Sequence, residues 1–256
     1  MKARAELVAE PGPGGTVRLP VLWSQAPLIL RRTADAVYLV SGAAGPLGGD
    51  TLELVIDVRA GATLRLRTVA AAVALPGRSG QESRFTVTAT VGAGARLEYL
   101  PEATVAADGA RHRTQVSVRL AADATLVLRD EVLLGRHGER GGACCTRLAV
   151  DRDSAAGWRP LLRHELDISG TDAPGSGPAV LAGHRAAGTL LTVDPGAAGD
   201  RDGPAGGAVG PWVAVMPLAG PGVLVTALAH DTRTLRHRLG LLSTRRGPAS
   251  GPPVPR

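Results

Sequence analysis

Apolar and polar residues alternate along this chain with a period of two, most regularly between Asp50 and Asp130. Leu52, Leu54, Ile56 and Val58 fall on one face, with Glu53, Asp57 and Arg59 on the other. Leu64 and Leu66 alternate with Arg65 and Arg67. Phe85, Val87, Ala89 and Val91 alternate with Arg84 and three threonines, and Val116, Val118 and Leu120 with Gln115, Ser117 and Arg119. A period of two rich in β-branched residues predicts half-buried strands rather than helices.

The same stretch repeats itself. Val55–Thr68, Val87–Pro101 and Val116–Asp130 each read as a strand, a small-residue turn and a second strand. The turns are Arg59-Ala60-Gly61, Gly92-Ala93-Gly94 and Ala121-Ala122-Asp123. Equivalent alanines at 62, 95 and 124 are separated by 95 − 62 = 33 and 124 − 95 = 29 residues. Such periods point to a supersecondary unit whose faces are buried by stacking on its neighbours. The expected fold is therefore mainly all-β, with stacked sheets or a helicoidal, solenoid-like coil.

Flanking segments extend that reading. Strands are predicted at Ala3–Val8, Val17–Val21, Pro27–Arg31, Ala36–Ser41, Cys145–Asp151 and Pro160–Asp167, and a strand pair at His184–Val193. Thr171–Pro178 reads as a loop, and the Gly- and Pro-rich Asp194–Pro211 as a long mobile one. Trp212–Ala229 is uncharged, but Pro217, Gly220, Pro221 and Gly222 divide it into two short strands joined by a turn rather than a membrane span. The best helix candidate lies within Leu224–Leu242, with Leu228, Leu235, Leu239 and Leu242 in phase and Asp231 or Thr232 as cap. About two short helices are expected near the C-terminal part. Residues 1–246 are expected to form one domain, and 247–256 a disordered tail.

Composition narrows the function. At 256 residues and 44% hydrophobic, the chain can bury a large core, and with 2% aromatics that core is Val, Leu and Ala. The net charge is +6, carried almost wholly by arginine, since Lys2 is the single lysine. This bias, with excess Ala and Gly, fits a GC-rich genome and is poor evidence for nucleic acid; arginines and aromatics do not interleave as single-strand binding favours. Two adjacent cysteines, Cys144 and Cys145, exclude a disulfide framework and suit a cytoplasmic setting. The first residues, interrupted by Glu6 and Glu10, do not read as a signal peptide.

Candidate chemistry is sparse. GPLGGD (Gly45–Asp50) reads as a tight turn that Asp50 caps; no Lys-Ser/Thr follows to make it a phosphate loop. Glu98, Asp130 and Glu131 stand at the ends of repeat strands, where they either face solvent or, if buried, require partners. The six histidines form no H-x-H or H-x-x-x-H pair. His112, His137 and Cys144 are the candidate metal ligands, set against the plainer reading of isolated side chains. Cys144 and Cys145, adjacent on a strand, point to opposite faces and do not share one ion. Nucleophile elbow, zinc signature and dinucleotide fingerprint are all lacking, in keeping with a non-enzyme.

Four stretches in register, GPLGGDTLEL, GATLRLRT, GARLEYLPEATVAADGARHR and LRDEVLLGRHGERGG, resemble the UreD (UreH) family of urease accessory proteins. The resemblance is good over Ala36–Asp167 and looser elsewhere. It implies a helicoidal β-rich fold and a non-enzymatic scaffold. Its implied partners are the helical UreF, the GTPase UreG that UreF recruits, and apo-urease, to which nickel is delivered. No tightly bound cofactor is implied; nickel is in transit. The passage residues it implies are Asp50, Thr68, Glu98, Asp108, Glu131 and, more loosely, Glu165, with Gly48, Gly49 and Arg136 structural or partner-facing. The chain departs from many relatives in its small apolar Val69–Leu75 and in the order Glu139-Arg140-Gly141. Two other readings compete. A carbohydrate-active β-solenoid would use paired carboxylates and aromatic platforms, for which one Phe, two Tyr and three Trp are few. A basic nucleic-acid binder would bind with steep salt dependence.

Overall fold

The computed structural model describes residues 1–78, 80–171, 175–197 and 207–240. The alternating segments become strands throughout. In chain order they are β1 (Lys2–Pro11), β2 (Val17–Ser24), β3 (Leu28–Arg32), β4 (Val37–Ser41), β5 (Thr51–Val58), β6 (Thr63–Thr68), β7 (Ala72–Ala74), β8 (Ser83–Val91), β9 (Arg96–Leu100), β10 (Thr104–Ala106), β11 (Arg111–Leu120) and β12 (Thr125–Leu134). There follow β13 (Ala143–Arg152), β14 (Arg159–Ser169), β15 (Ala186–Val193), β16 (Gly207–Gly210), β17 (Val213–Pro217), β18 (Val223–Ala229) and the helix α1 (Thr232–Gly240).

Two sheets stack face to face. One runs β14-β13-β11-β8-β5-β1-β2 and the other β16-β17-β18-β15-β12-β9-β6-β4-β3, with β7 and β10 attached beside β12. Each sequence repeat contributes its first strand to the first sheet and its second strand to the other. The repeats β5–β6, β8–β9 and β11–β12 are thus successive rungs of a parallel coil. Register follows the repeat. Leu54 pairs with Val87 and Val87 with Val116, while Leu64 pairs with Leu97 and Leu97 with Leu126. These are the same steps of 33 and 29 residues that separate the marker alanines. Ala62, Ala95 and Ala124 stack at the buried corner, where the Arg96 N–H donates to the Ala62 carbonyl and the Thr125 N–H to the Ala95 carbonyl, each at 2.9 Å. The small side chains at this corner are fully buried, and the hydrogen-bond ladder passes through it unbroken.

The main core lies between the sheets: Leu54, Ile56, Val87, Val116 and Leu120 face Leu64, Leu66, Leu97, Leu126 and Leu128. A smaller cluster joins Leu235 and Leu239 of α1 to Ala186, Val225, Ala227 and Ala229 on the back of β15 and β18.

The C-terminal third differs from the sequence reading. Val223–Ala229, which read both as the second strand of Trp212–Ala229 and as the start of the helix candidate, is a strand between β15 and β17. Its two strand neighbours satisfy its backbone and override the leucine spacing. The helix begins at Thr232, after Asp231, whose Oδ1 accepts from the Thr234 N–H at 2.8 Å. Among the described residues it is the one α-helix, where about two were expected; Pro13–Gly15 and Pro195–Ala197 form only 3-10 turns. Ala186–Val193 is one strand, not a pair. The expected mobile loop Asp194–Pro211 starts in a 3-10 turn and ends in β16; its residues 198–206 lie outside the described residues, as do Leu242 and the tail 247–256. Trp212–Ala229 forms two strands and a turn as read, and no helix among the described residues is long and apolar enough to cross a membrane.

Candidate functional site: a cavity between the sheets

At one end of the sandwich the apolar rows stop and polar rows replace them. In the first sheet Asp50 precedes Thr51, which pairs with Arg84, while Ser83 pairs with His112 and His112 with Cys144. Asp50, Ser83, His112 and Cys144 therefore form one row across the inner face. In the second sheet Thr68 and Asp130 stand one inward position beyond the apolar row Leu66–Tyr99–Leu128. Between the two rows lies a cavity of about 330 Å³, walled by Leu52, Phe85, Val116 and Tyr99 and reached by Asp50, Thr68, His112, Thr114 and Asp130.

Hydrogen bonds hold each polar group. Asp50, 5% exposed, accepts from the Leu47 N–H at 2.9 Å and from the Met1 α-ammonium at 2.6 Å. The turn that presents it needs glycine twice. Gly49 has φ +92°, and a Cβ on Gly48 would lie 2.5 Å from the Gly77 nitrogen and the Gln81 carbonyl oxygen. His112 shares hydrogen bonds with Ser83 through Nδ1 (2.9 Å) and with Thr114 through Nε2 (3.1 Å). Burial lowers its pKa to about 4, against a weaker upward pull from Glu82, so the ring is neutral at physiological pH. Burial raises the Asp130 carboxyl above its ordinary range, against a smaller lowering pull from the Thr146 side chain. Burial, and then the Asp130 charge, also raises the Tyr99 phenol.

The rim is ionic. Glu131 points to the other face of β12, with no exposed side-chain surface, beside Arg129 and Arg236. Burial raises its carboxyl, and the two guanidiniums oppose that shift. Arg236 also reaches Glu102, whose N–H donates to the Thr68 hydroxyl at 2.8 Å.

The sequence-predicted residues thus divide. Asp50, Thr68 and His112 meet at the cavity, and Glu131 stands behind its rim. Glu98 lies on the outer face of its sheet beside Arg65, Arg67 and Arg96. Asp108 is exposed in a turn, where its N–H donates to Glu139. Arg136 clamps the same Glu139 and holds its carboxyl down at about 2. His137 is exposed in that loop. Glu165 is on the exposed face of β14, paired with Arg147 at 2.9 Å. Cys144 is buried in a further apolar cluster with Val132, Leu134 and Ile168, and burial pushes its thiol well up; Cys145, beside Arg113 and Glu165, is raised to about 11. Among the described residues no three or more His, Cys, Asp or Glu side chains converge as a metal cluster.

The sequence reading passed over Ser83 and singled out His112 and Asp130 on other grounds, yet all three are in phase with Asp50 and Thr68. Counting 33 and then 29 from Asp50 reaches Ser83 and His112, and from Thr68 reaches Pro101 and Asp130. Glu102 and Arg236 had no such signal; Arg236 meets the site only through the docking of α1.

Fold and site together define a two-sheet parallel β-coil that encloses a polar-ended cavity. The family model described as UreD urease accessory protein matches residues 1–256. The chain is 48% identical to "Urease accessory protein UreD" of a Parafrankia species, over 95% of this chain and 88% of that one. It is 47% identical to the protein of the same name from Frankia alni, over 95% and 92%. It is also 48% identical to "Urease accessory protein UreD 3" of Streptomyces griseus, over 93% and 94%. The chain belongs to the UreD family of urease accessory proteins.

Proposed function

We propose that this chain is a cytoplasmic scaffold of urease maturation, which holds a UreF-like helical protein, and through it a UreG-like GTPase, on apo-urease while nickel passes. The cavity is the part of the nickel route that lies within this chain. The observation that carries the reading is that Asp50 and Asp130, on opposite sheets, reach one cavity together with Thr68 and His112. Carboxylate, hydroxyl and neutral imidazole groups spread along a wall suit a divalent ion passing partly hydrated, whereas tight holding calls for convergent ligands. Glu98, Asp108 and Glu165, outside the cavity, belong to the surface over which the ion or a partner approaches.

The test is the nickel content and activity of urease from cells lacking the chain, complemented by variants. Wild type restores both. Asp50→Ala and Asp130→Asn leave urease nickel-poor while still copurifying with the helical partner, and Glu98→Ala restores more than either. Full restoration by both cavity variants removes the route and leaves the scaffold. Fully active urease without the chain removes both.

A further inference from the structure

Glu102 and Arg129 line the cavity mouth, and both belong to a four-residue ion cluster. Arg236 Nη2 lies 2.6 Å from Glu102 Oε2 and 2.9 Å from Glu131 Oε2. Arg129 Nε lies 3.5 Å from Glu131 Oε1, and its Nη2 lies 3.9 Å from Glu102 Oε1. Two carboxylates and two guanidiniums cancel. Three of the four are fixed in the wall: Arg129 and Glu131 on β12, and Glu102 between β9 and β10, tied to Thr68. The fourth arrives from α1, 105 residues after Glu131. The helix is held by Leu235 and Leu239, 0% and 1% exposed, and these flank Arg236 in sequence. Their packing therefore delivers the guanidinium.

We infer that α1 is a removable counter-ion for the cavity mouth. Docked, it brings the cluster to zero net charge. Withdrawn, it leaves Glu102 and Glu131 sharing Arg129 alone, a net charge of −1 beside the entrance. The second state attracts a divalent cation, and a partner that draws the helix away shifts the population toward it. Glu131, whose side chain has no exposed surface, makes the withdrawn state unfavourable without such a partner. This inference rests on the reading of the cavity as a cation route.

The experiment is equilibrium dialysis of the full-length chain against Ni²⁺ alone, with hydrogen exchange over residues 232–240. Arg236→Gln removes the charge and leaves the leucine packing. Leu235→Ala/Leu239→Ala keeps the charge and releases the helix. Both tighten Ni²⁺ binding roughly tenfold, the order expected on removing one positive charge a few Å from a divalent ion. Arg236→Lys does not, and adding Glu102→Gln to Arg236→Gln abolishes the gain. Unchanged binding in Arg236→Gln overturns the inference, as does a double-leucine variant whose helix exchanges freely with no gain in binding. If the leucine variant does not fold, Arg236→Gln with and without Glu102→Gln decides. Urease loading in cells reads the route separately. Altered binding with normal loading discards the route and keeps the counter-ion; unaltered binding discards the counter-ion whatever the loading.

Discussion

Asp130 is the residue at which function and stability pull apart. Its carboxyl faces the cavity and is raised by burial. A buried carboxylate without a cation costs stability. Asp130→Asn keeps the shape and removes the charge, so it raises the melting temperature at pH 7 by roughly 2–4 °C, about 1 kcal/mol for a chain of this size, while on the proposed nickel route it impairs urease loading. Calorimetry at neutral pH checks this; a lower melting temperature means that the carboxylate has a cationic partner. His112 gives the opposite pH signature. Its folded pKa of about 4 lies below the unfolded 6.5, so its contribution is full above pH 6.5 and is lost as pH falls toward 4. The loss amounts to about 3 kcal/mol when complete. Asp130 works the other way and gains stability over the acid range, so the comparison must be with His112→Gln. Denaturant titrations at pH 7 and pH 4 should show a smaller fall for that variant than for wild type. Equal falls would mean that the imidazole is accessible to protons in the folded state.

Among the elements, the GPLGGD turn has the narrowest tolerance. Gly48 and Gly77 approach so closely that a Cβ on either meets the other's backbone at 2.5 Å. Gly48→Ala pushes Gly77 and the Gln81 backbone away, costs about 1–3 kcal/mol as overpacking, and displaces Asp50 from the Met1 and Leu47 nitrogens. The check is denaturation together with urease loading, and a variant of wild-type stability would mean that the loop yields freely. The repeat strands were legible because alternation, turn residues and spacing agreed. The stretch before the helix read both ways, as the second strand of Trp212–Ala229 and as the front of the helix candidate. Leu228, Leu235 and Leu239 fit a helical stripe, but Leu228 belongs to a strand with neighbours on both sides. Short apolar runs satisfy either period, and pairing partners distant in sequence decide between them.

For the molecule as a whole, rungs stacked in register predict a gradient of protection. β5, β8, β9 and β11 have partners on both sides, whereas β2, β3 and β14 are edge strands. Native-state hydrogen exchange should find the slowest amides in the inner rungs and the fastest at the edges; uniform protection would mean that the coil opens only as one unit. By itself the sequence determined the β class and the three rungs with their register, because each depends on local alternation repeated at fixed steps; Asp50 and Thr68 were reached only through the family resemblance. Which polar residues meet was decided by the tertiary structure. Equivalent positions in successive rungs become neighbours across a sheet, so Asp50 joins Ser83 and His112, while Thr68 and Asp130 stand two rungs apart on the other wall of the same cavity. Glu98, equally prominent in sequence, turns outward to three arginines. The rim depends on a helix that must return across the whole fold to place Arg236, and no local pattern encodes that contact, because its free energy comes from leucines packing on strands formed far earlier in the chain.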